Sequence, residues 1–100
     1  MLDLKKLEGF EWDEGNLEHI KKHNVDYKEC EHVFSNQPLL VNEDERHSES
    51  EKRFRVYGKS NKNRLLNIIF TIRENKIRVI SARNQNKKER KEFLESGGEN

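Results

Sequence analysis

Arg64 and Arg83 are the residues whose expected placement points most directly to chemistry. The strands on either side of a two-residue hairpin turn at Glu74 and Asn75 pair Leu66 with Arg83. Both arginines then fall at one end of an otherwise apolar sheet face, next to each other across the strands. Two guanidinium groups so close together repel one another unless an anion lies between them. The pattern therefore predicts an anion site, which a carboxylate or a phosphate could occupy.

Positive charge is concentrated in the same part of the chain, although the formal net charge of the whole chain is only +1. Residues 52–91 hold 14 Lys/Arg against two acids, whereas residues 1–51 hold 6 Lys/Arg against 14 Asp/Glu. The strand register places most of this charge on the face opposite the apolar one, with Glu51, Arg53, Arg55, Tyr57, Arg73, Lys76 and Arg78. A face so basic is typical of a surface that binds a polyanion, an acidic protein partner, or each in turn.

Three antiparallel strands carry these residues, and we place them at 51–58, 64–73 and 76–84. A three-residue turn with Asn63 in the left-handed conformation brings Ser60 opposite Arg64 and pairs Phe54 with Phe70. This register gathers the apolar side chains on one face of the sheet, namely Phe54, Val56, Leu66, Ile68, Phe70, Ile72, Ile77 and Val79. Such a face must be covered by helices, and two precede it in the chain.

Two short N-terminal helices are predicted to provide that cover. Asp13 caps a helix over 14–23, and Asn24 ends it in a left-handed conformation. Asp26 and Glu29 form a capping box for a second helix, whose apolar face carries Tyr27, Cys30, Val33 and Phe34 and which stops before Pro38. The remaining predicted elements are a short strand at 39–41, a loop at 42–50 and a helix at 87–95 anchored by Phe93 and Leu94. The fold class is α+β: a small antiparallel sheet backed by two N-terminal helices plus a C-terminal helix.

Length and composition favour one small domain over 1–95, followed by a disordered tail at 96–100. Only 31% of the residues are apolar and 39% are charged, so the core must be small. A lone cysteine allows no intrachain disulfide, and no stretch resembles a signal peptide or a membrane span, which indicates a cytoplasmic protein. His19 and His23 have a spacing that a metal could bridge, but no third ligand is evident and the HExxH pattern is absent, so no cofactor is expected.

A family resemblance emerges when these signals are read in order. They are Phe10-Glu11-Trp12-Asp13, Lys22-His23-Asn24-Val25, Asp44, His47, Glu51-Lys52-Arg53-Phe54, Gly58, Arg64-Leu65-Leu66, Arg73, Ile77-Arg78-Val79-Ile80-Ser81-Ala82-Arg83 and Lys88-Glu89-Arg90. From about residue 10 to residue 93 the chain resembles the BrnT toxins of bacterial type II toxin–antitoxin pairs. It departs from the family at Asn24, where glycine is usual, and at Asn84-Gln85-Asn86, where a basic or small pair usually follows the arginine.

The resemblance implies a RelE-like fold and an endoribonuclease that arrests translation by cutting RNA. It also implies an antitoxin partner, BrnA, with a ribbon-helix-helix DNA-binding domain. The toxin–antitoxin complex of such systems represses its own operon, so this chain would meet operator DNA only through the antitoxin. RNA would be the substrate, and no membrane partner is expected.

Site residues follow from the same resemblance together with the needs of metal-free RNA cleavage, which are a base, a cation at the phosphorane and an acid. Glu51 is the candidate base, and His23 and His47 are candidates for base or acid. Arg64 and Arg83 are the candidate phosphate clamp, assisted by Lys22. The remaining role, holding the RNA backbone, falls to Arg53, Arg73 and Arg78.

Each assignment has a plainer alternative. Glu51 could form only a surface ion pair with Arg53, and His23 could simply complement the dipole of the helix that it ends. Arg64 and Arg83 could each pair with a carboxylate from the N-terminal half of the chain. The whole chain could also be a non-catalytic co-repressor whose basic face docks an acidic antitoxin, or a small metal-binding protein.

Overall fold

A four-stranded antiparallel sheet with helices on both faces makes up the computed structural model, which describes residues 3–44 and 51–97. A short 3₁₀ turn at Leu4–Lys6 comes first. The elements that follow are α1 (Glu14–Lys21), α2 (Tyr27–Ser35), β1 (Leu40–Glu43), β2 (Arg53–Lys59), β3 (Leu65–Arg73), β4 (Lys76–Asn84) and α3 (Lys87–Glu95). The strands lie in the order β1-β2-β3-β4, so the α+β fold class is confirmed.

The helix caps form largely as the sequence predicts. The Asp13 side chain accepts the backbone N–H of Asn16, and the Asn16 side chain accepts that of Asp13, which closes a capping box. Helix α1 ends at Lys21, two residues earlier than predicted, and Asn24 has the expected left-handed conformation with φ 58°. At α2 the carboxylate of Asp26 accepts the third helical N–H, as expected, but the predicted capping box does not close, because the Glu29 side chain accepts from Arg64 and Ser60 instead.

Both predicted turns of the sheet are confirmed. Glu74 and Asn75 have φ values of 49° and 67°, the pair of left-handed residues that a type I′ hairpin requires. In the other turn Asn63 has φ 60°, and the backbone of Ser60 donates to that of Arg64. Phe54 therefore pairs with Phe70, and their rings stack with centroids 5.5 Å apart.

The last part of β4 does not follow the predicted register. A β-bulge lies where Phe70 pairs with Val79 but Ile69 pairs with Ser81, which leaves Ile80 as an extra residue. Every later residue of β4 is therefore shifted by one position and points to the opposite face. The sequence gives no warning of the bulge, because no glycine or proline interrupts this part of the strand.

The position that the sequence-based register predicts for Arg83 is therefore wrong. It pairs with Asn67 rather than Leu66, and Leu66 pairs with Asn84 instead. Ala82 takes the place on the apolar face and is fully buried. Arg83 thus lies on the face turned away from α1 and α2, which we call the distal face.

The core lies between the sheet and the two N-terminal helices, as predicted. Ile20, Cys30 and Val33 from the helices pack against a buried apolar sheet face that includes Val56, Leu66, Ile68, Phe70, Val79 and Ala82. Two details of the predicted core are wrong, because Tyr27 of α2 and Leu94 of α3 are exposed. Phe93 alone anchors α3, and this helix contacts β2 and the distal-face residues Asn67 and Arg83.

An edge segment and a short strand complete the sheet. Phe10 bridges Ile77 in parallel fashion at the free edge of β4, and the backbone N–H groups of Glu11 and Ile77 donate across this contact. Strand β1 begins one residue later than predicted and extends through Glu43 into the predicted loop. Within the described residues, no helix has the length and apolar character needed to cross a membrane.

Gly58 is the position in β2 where α2 approaches the sheet most closely. A Cβ there would lie 2.7 Å from Cγ1 of Val33 and 2.8 Å from Cδ2 of Leu39. We expect Gly58→Ala to lower the free energy of unfolding by about 1–3 kcal/mol, because the crowded side chains must move. Urea denaturation measures this change, and Lys28→Ala, on the exposed side of α2, should stay within about 0.5 kcal/mol of the wild type. A wild-type unfolding free energy for Gly58→Ala would contradict the close packing.

Candidate functional site

The residues predicted to form one site lie in three separate places. Arg64 is at the end of the sheet on the side of α1 and α2, whereas Arg83 is on the distal face. Glu51 lies beyond the start of β2, next to Arg73 at the β3–β4 turn. Arg83 pairs with Asn67, and Asn67 lies six positions away from Arg73 along β3. This spacing corresponds to about 20 Å along the sheet. Glu51 and Arg83 therefore cannot act on the same phosphate.

Arg64 is held in a network between α2 and the β2–β3 turn. Its Nη1 donates to Oε1 of Glu29 at 2.9 Å and to the carbonyl oxygen of Asn24 at 2.7 Å. The other carboxylate oxygen of Glu29, which is buried, accepts from the hydroxyl of Ser60. Arg64 thus has the carboxylate partner from the N-terminal half that the plainer alternative proposed.

Lys22 and His23 follow the end of α1 with exposed side chains. His23 contacts Arg64 through its backbone, because its carbonyl oxygen accepts from Nη2 of Arg64 at 3.4 Å. His47 lies outside the described residues, so its predicted role is an expectation only. Among the described residues no three His, Cys, Asp or Glu side chains group closely enough to hold a metal ion.

Glu51 and Arg73 form a bidentate ion pair. Two hydrogen bonds of 3.1 and 3.0 Å join the guanidinium to the carboxylate. The hydrogen bond from Arg73 holds the pKa of Glu51 below its usual range, so Glu51 is a weaker base than an isolated carboxylate. The hydrogen-bonded partner is Arg73 and not Arg53, the neighbour that the sequence suggested.

Arg78 also meets carboxylates from the N-terminal segment. Its Nη1 donates to Glu11 and Asp13, each at 2.9 Å, and only 13% of its side chain is exposed. Hydrogen bonding to Asp13 raises the pKa of Arg78 above its usual value. An RNA phosphate at Arg73 or Arg78 would therefore have to compete with a carboxylate that is already in place.

Arg83 is fixed by a carboxylate from α3. Both terminal nitrogens of its guanidinium donate to Glu89, at 2.7 and 2.9 Å. Glu89 also accepts from the side chain of Asn67 and from the backbone N–H of Asn86, its own helix cap. These donors, Arg83 first, hold the pKa of Glu89 below its usual value. Glu89 is thus ionised at neutral pH and orients Arg83.

A cleft of about 270 Å³ opens on the distal face next to this pair. It is lined by Asp44, Arg55, Asn67, Ile69, Ser81, Arg83 and Glu89. Arg55, Ile69 and Ser81 lie side by side across three strands, because Arg55 pairs with Ile69 and Ile69 pairs with Ser81. Asn67 and Arg83 pair in the next row of the same face. The cleft therefore combines two cations, two carboxylates, an amide and a hydroxyl within one small volume.

Two polar atoms in the cleft lack protein partners. Nε of Arg55 and Oδ1 of Asn67 are buried, and neither finds a hydrogen-bond partner among the described residues. The guanidinium of Arg55 also lies over the ring of Tyr57, 5.1 Å from its centroid. Buried polar groups are normally satisfied, and Oε1 of Gln85, outside the cleft, also has no partner among the described residues. What distinguishes Arg55 and Asn67 is that both residues line the cleft, so their open donor and acceptor are candidates for contact with a ligand there.

Comparison with known families identifies the chain. Residues 12–89 match the family described as "Ribonuclease toxin, BrnT, of type II toxin-antitoxin system". The chain belongs to the BrnT family. No curated protein sequence matches it. The predicted endoribonuclease activity is thus confirmed for this BrnT-family toxin, with RNA as its substrate and an antitoxin as its partner.

The cleft of this BrnT-family toxin includes residues that sequence reasoning assigned no role. Asp44 and Glu89 contributed to the resemblance, and Arg55 was placed on the basic face, but none was a site candidate. Ser81 and Arg83 reach the cleft beside Asn67 only because the bulge shifts the end of β4. The sequence held one signal for the position of Glu89. Asn86 and Glu89 are three residues apart at a helix start, which is the spacing of a capping box.

Cys30, the other reactive residue type in this BrnT-family toxin, takes no part in the site. It lies on the core-facing side of α2 and is fully buried, and this burial raises the pKa of its thiol to about 12. A thiolate nucleophile is therefore not available near neutral pH.

Removing Arg64 should reveal a structural role. Arg64→Ala leaves the buried carboxylate of Glu29 without its ionic partner, so we expect a loss of about 2–4 kcal/mol in the free energy of unfolding. Urea denaturation measures the loss, and Lys22→Ala, which removes an exposed charge nearby, should have little effect. Equal stability of the Arg64→Ala and Lys22→Ala proteins would show that the network contributes nothing.

The Glu89–Arg83 pair should give the toxin a pH-dependent stability. Because the folded-state pKa of Glu89 lies below its usual value of 4.5, the pair stabilises the fold above about pH 4.5 and loses this effect as the pH falls through the folded-state pKa. Glu89→Gln should lower the free energy of unfolding by about 1–2 kcal/mol at pH 7, and the difference should shrink at lower pH. Denaturant melts from pH 3 to pH 7 test this, with Glu92→Gln on the exposed side of α3 as the control. A pH-independent difference would contradict the ionic origin.

Proposed function

We propose that this toxin cleaves single RNA phosphodiester bonds without a metal ion, in the distal cleft. The observation that carries the proposal is the Arg83 guanidinium, fixed by Glu89 in a cleft of about 270 Å³ whose lining also includes Asp44. Attack by a ribose hydroxyl on its own phosphate requires a fixed cation and a base. The sequence suggested that Arg64 and Arg83 hold the phosphate together. In this proposal Arg83 acts without Arg64.

The reaction is an internal transfer of the phosphoryl group. The 2′-oxygen forms a bond to phosphorus while the bond from phosphorus to the 5′-oxygen breaks. The 2′-hydroxyl proton passes to a base, and the departing 5′-oxygen takes a proton from water in the open cleft. The products are an RNA fragment with a 2′,3′-cyclic phosphate and a fragment with a 5′-hydroxyl.

Two residues of the cleft have the chemistry for these roles. Arg83 stabilises the extra negative charge of the pentacoordinate phosphorus, because Glu89 holds its guanidinium in a fixed orientation. Asp44, the other carboxylate that lines the cleft, is the general base in this proposal. Glu51, the base suggested by sequence, does not line the cleft.

The distal face continues from the cleft toward the β3–β4 turn, and we propose that the RNA backbone follows it. Arg53 and Arg78 both flank Thr71 in the register, and Arg73 lies two residues further along β3. Phosphates would exchange with the carboxylates that now hold Arg73 and Arg78. Contacts of this kind add affinity without selecting a sequence.

The partner in this proposal is a BrnA-like antitoxin with a ribbon-helix-helix domain. It neutralises the toxin by covering the distal face, and it alone contacts operator DNA in the repressing complex. The toxin acts in the cytoplasm as one domain over 1–95.

Purified toxin and a single-stranded RNA oligonucleotide test the reaction. Cleavage should persist in excess EDTA, give a 2′,3′-cyclic phosphate, and stop at a site whose 2′-hydroxyl is replaced by hydrogen. Arg83→Ala should lower kcat/KM by about 100- to 1,000-fold, because a fixed donor to the transition state is lost. Lys28→Ala removes one positive charge from the opposite side of the molecule and should cleave like the wild type.

Two further results would overturn the proposal. One is a strict need for divalent metal ions, and the other is wild-type cleavage by Arg83→Ala. Expression in cells complements the assay: the wild type without antitoxin should arrest growth, and Arg83→Ala should not, although it still forms the antitoxin complex. Normal growth with the wild-type toxin would favour the co-repressor alternative.

A further inference from the structure

We propose that Arg55 and Asn67 form a ribose–phosphate subsite in the distal cleft, in which Arg55 binds a phosphate and Asn67 accepts a hydrogen bond from a ribose hydroxyl. The subsite rests on the proposed function, because it assigns the contacts that hold RNA in the same cleft. Neither residue was singled out by the sequence pattern.

Arg55 differs from the other arginines near the candidate sites. Arg64, Arg73, Arg78 and Arg83 each donate to at least one carboxylate at 3.0 Å or less. Arg55 has no such carboxylate contact among the described residues, and its buried Nε lacks an acceptor there. A phosphate would complete its hydrogen bonding without displacing a protein carboxylate.

The environment of Arg55 also suits an anion that binds at the edge of the guanidinium group, in its plane. Its guanidinium lies over the Tyr57 ring, so one face of the group is covered by an aromatic surface. Stacking of this kind leaves the in-plane N–H groups at the edge, and these are the donors that match two phosphate oxygens. The residue lines the cleft beside Ile69, in the row next to the one that carries Arg83.

Asn67 contributes the complementary group. Its side chain is 96% buried, given a relative exposure of 4%, and its Nδ2 donates to the carboxylate of Glu89 at 2.8 Å. A carboxylate accepts only, so this contact fixes which end of the amide is nitrogen and leaves Oδ1 as the open acceptor. An acceptor in the cleft needs a donor from the ligand, and a ribose hydroxyl supplies one whereas a phosphate does not.

Together the two atoms favour RNA over other polyanions. A free phosphate or sulfate satisfies Arg55 but leaves Oδ1 of Asn67 unpaired. A DNA strand offers the phosphate but lacks the 2′-hydroxyl, which distinguishes RNA from DNA at such contacts. The ligand that satisfies both is a ribonucleotide unit of a single strand, because the cleft of about 270 Å³ is too small for a duplex.

Kinetics with a single-stranded RNA oligonucleotide test Arg55. Arg55→Ala should raise KM about 10- to 100-fold, as expected for a hydrogen-bonded charge, with a smaller effect on kcat. A DNA oligonucleotide of the same sequence lacks the attacking hydroxyl and serves as an inert competitor, and its inhibition constant should rise in parallel. Arg55→Lys should recover only part of the loss, and Lys28→Ala is the control for charge. Unchanged KM and inhibition constants for Arg55→Ala would overturn the phosphate contact.

Substitution in the RNA tests Asn67 without depending on how well its variant folds. Replacing the 2′-hydroxyl of the nucleotide 3′ to the cleaved bond by hydrogen leaves the reacting hydroxyl intact. With the wild type this change, or removal of the 2′-hydroxyl from the nucleotide 5′ to the reacting one, should lower kcat/KM about 3- to 10-fold, as for a neutral hydrogen bond. With Asn67→Ala the same substitution should cause no further loss. An equal loss with both proteins would overturn the ribose contact.

The design separates this inference from the proposed function. If the wild type cleaves RNA and Arg83→Ala does not, the proposed function stands whatever Arg55→Ala does. If the wild type cleaves no RNA, titration of the protein with the RNA oligonucleotide still measures whether Arg55→Ala weakens binding. Binding equal to the wild type in that titration rejects the subsite on its own.

Discussion

The bulge at Ile80 is the constraint on which the candidate site depends. One extra residue in β4 turns Arg83 from the core side of the sheet to the distal face and places Ala82 in the core instead. Without this shift an arginine would point toward the apolar core, where an unpaired charge is costly. The shift also puts Arg83 in the same row as Asn67, within reach of α3. The geometry of the distal cleft thus follows from a local irregularity of one strand.

Charge pairing explains how so basic a sheet remains compact. The acids that offset the arginines come from several elements: Glu29 from α2, Glu89 from α3, Glu51 from the entry to β2, and Glu11 and Asp13 from the N-terminal segment. Most of the positive charge of the sheet is therefore balanced inside the molecule. A phosphate at any of these arginines must compete with a carboxylate, whereas at Arg55 it would displace no carboxylate among the described residues, which makes Arg55 more informative than the total charge.

Local chemistry accounts for what the sequence could predict. Asparagine at positions 24, 63 and 75 marked left-handed turns, and aspartate at 13 and 26 marked helix starts, because each depends on the residue and its immediate neighbours. The pairing of Phe54 with Phe70 followed from one turn length. The position of Arg83 could not be predicted, since a bulge in an uninterrupted apolar strand is decided by packing across the sheet. Its partner Glu89 was missed for the same reason.

The two glutamates that hold Arg64 and Arg83 occupy equivalent positions in their helices. Glu29 is the third residue of α2 after its cap Asp26, and Glu89 is the third residue of α3 after its cap Asn86. A negative charge there is favoured by the helix dipole, and the side chain is near enough to the helix start to reach the sheet. Glu89 closes its capping box and binds Arg83 at once, whereas Glu29 is directed to Arg64 and Ser60. The start of each helix thereby fixes one arginine on each side of the sheet. The pair on the core side is nearly closed off by α2, and the pair on the distal side borders an open cleft, which is why chemistry is assigned to Arg83 and structure to Arg64.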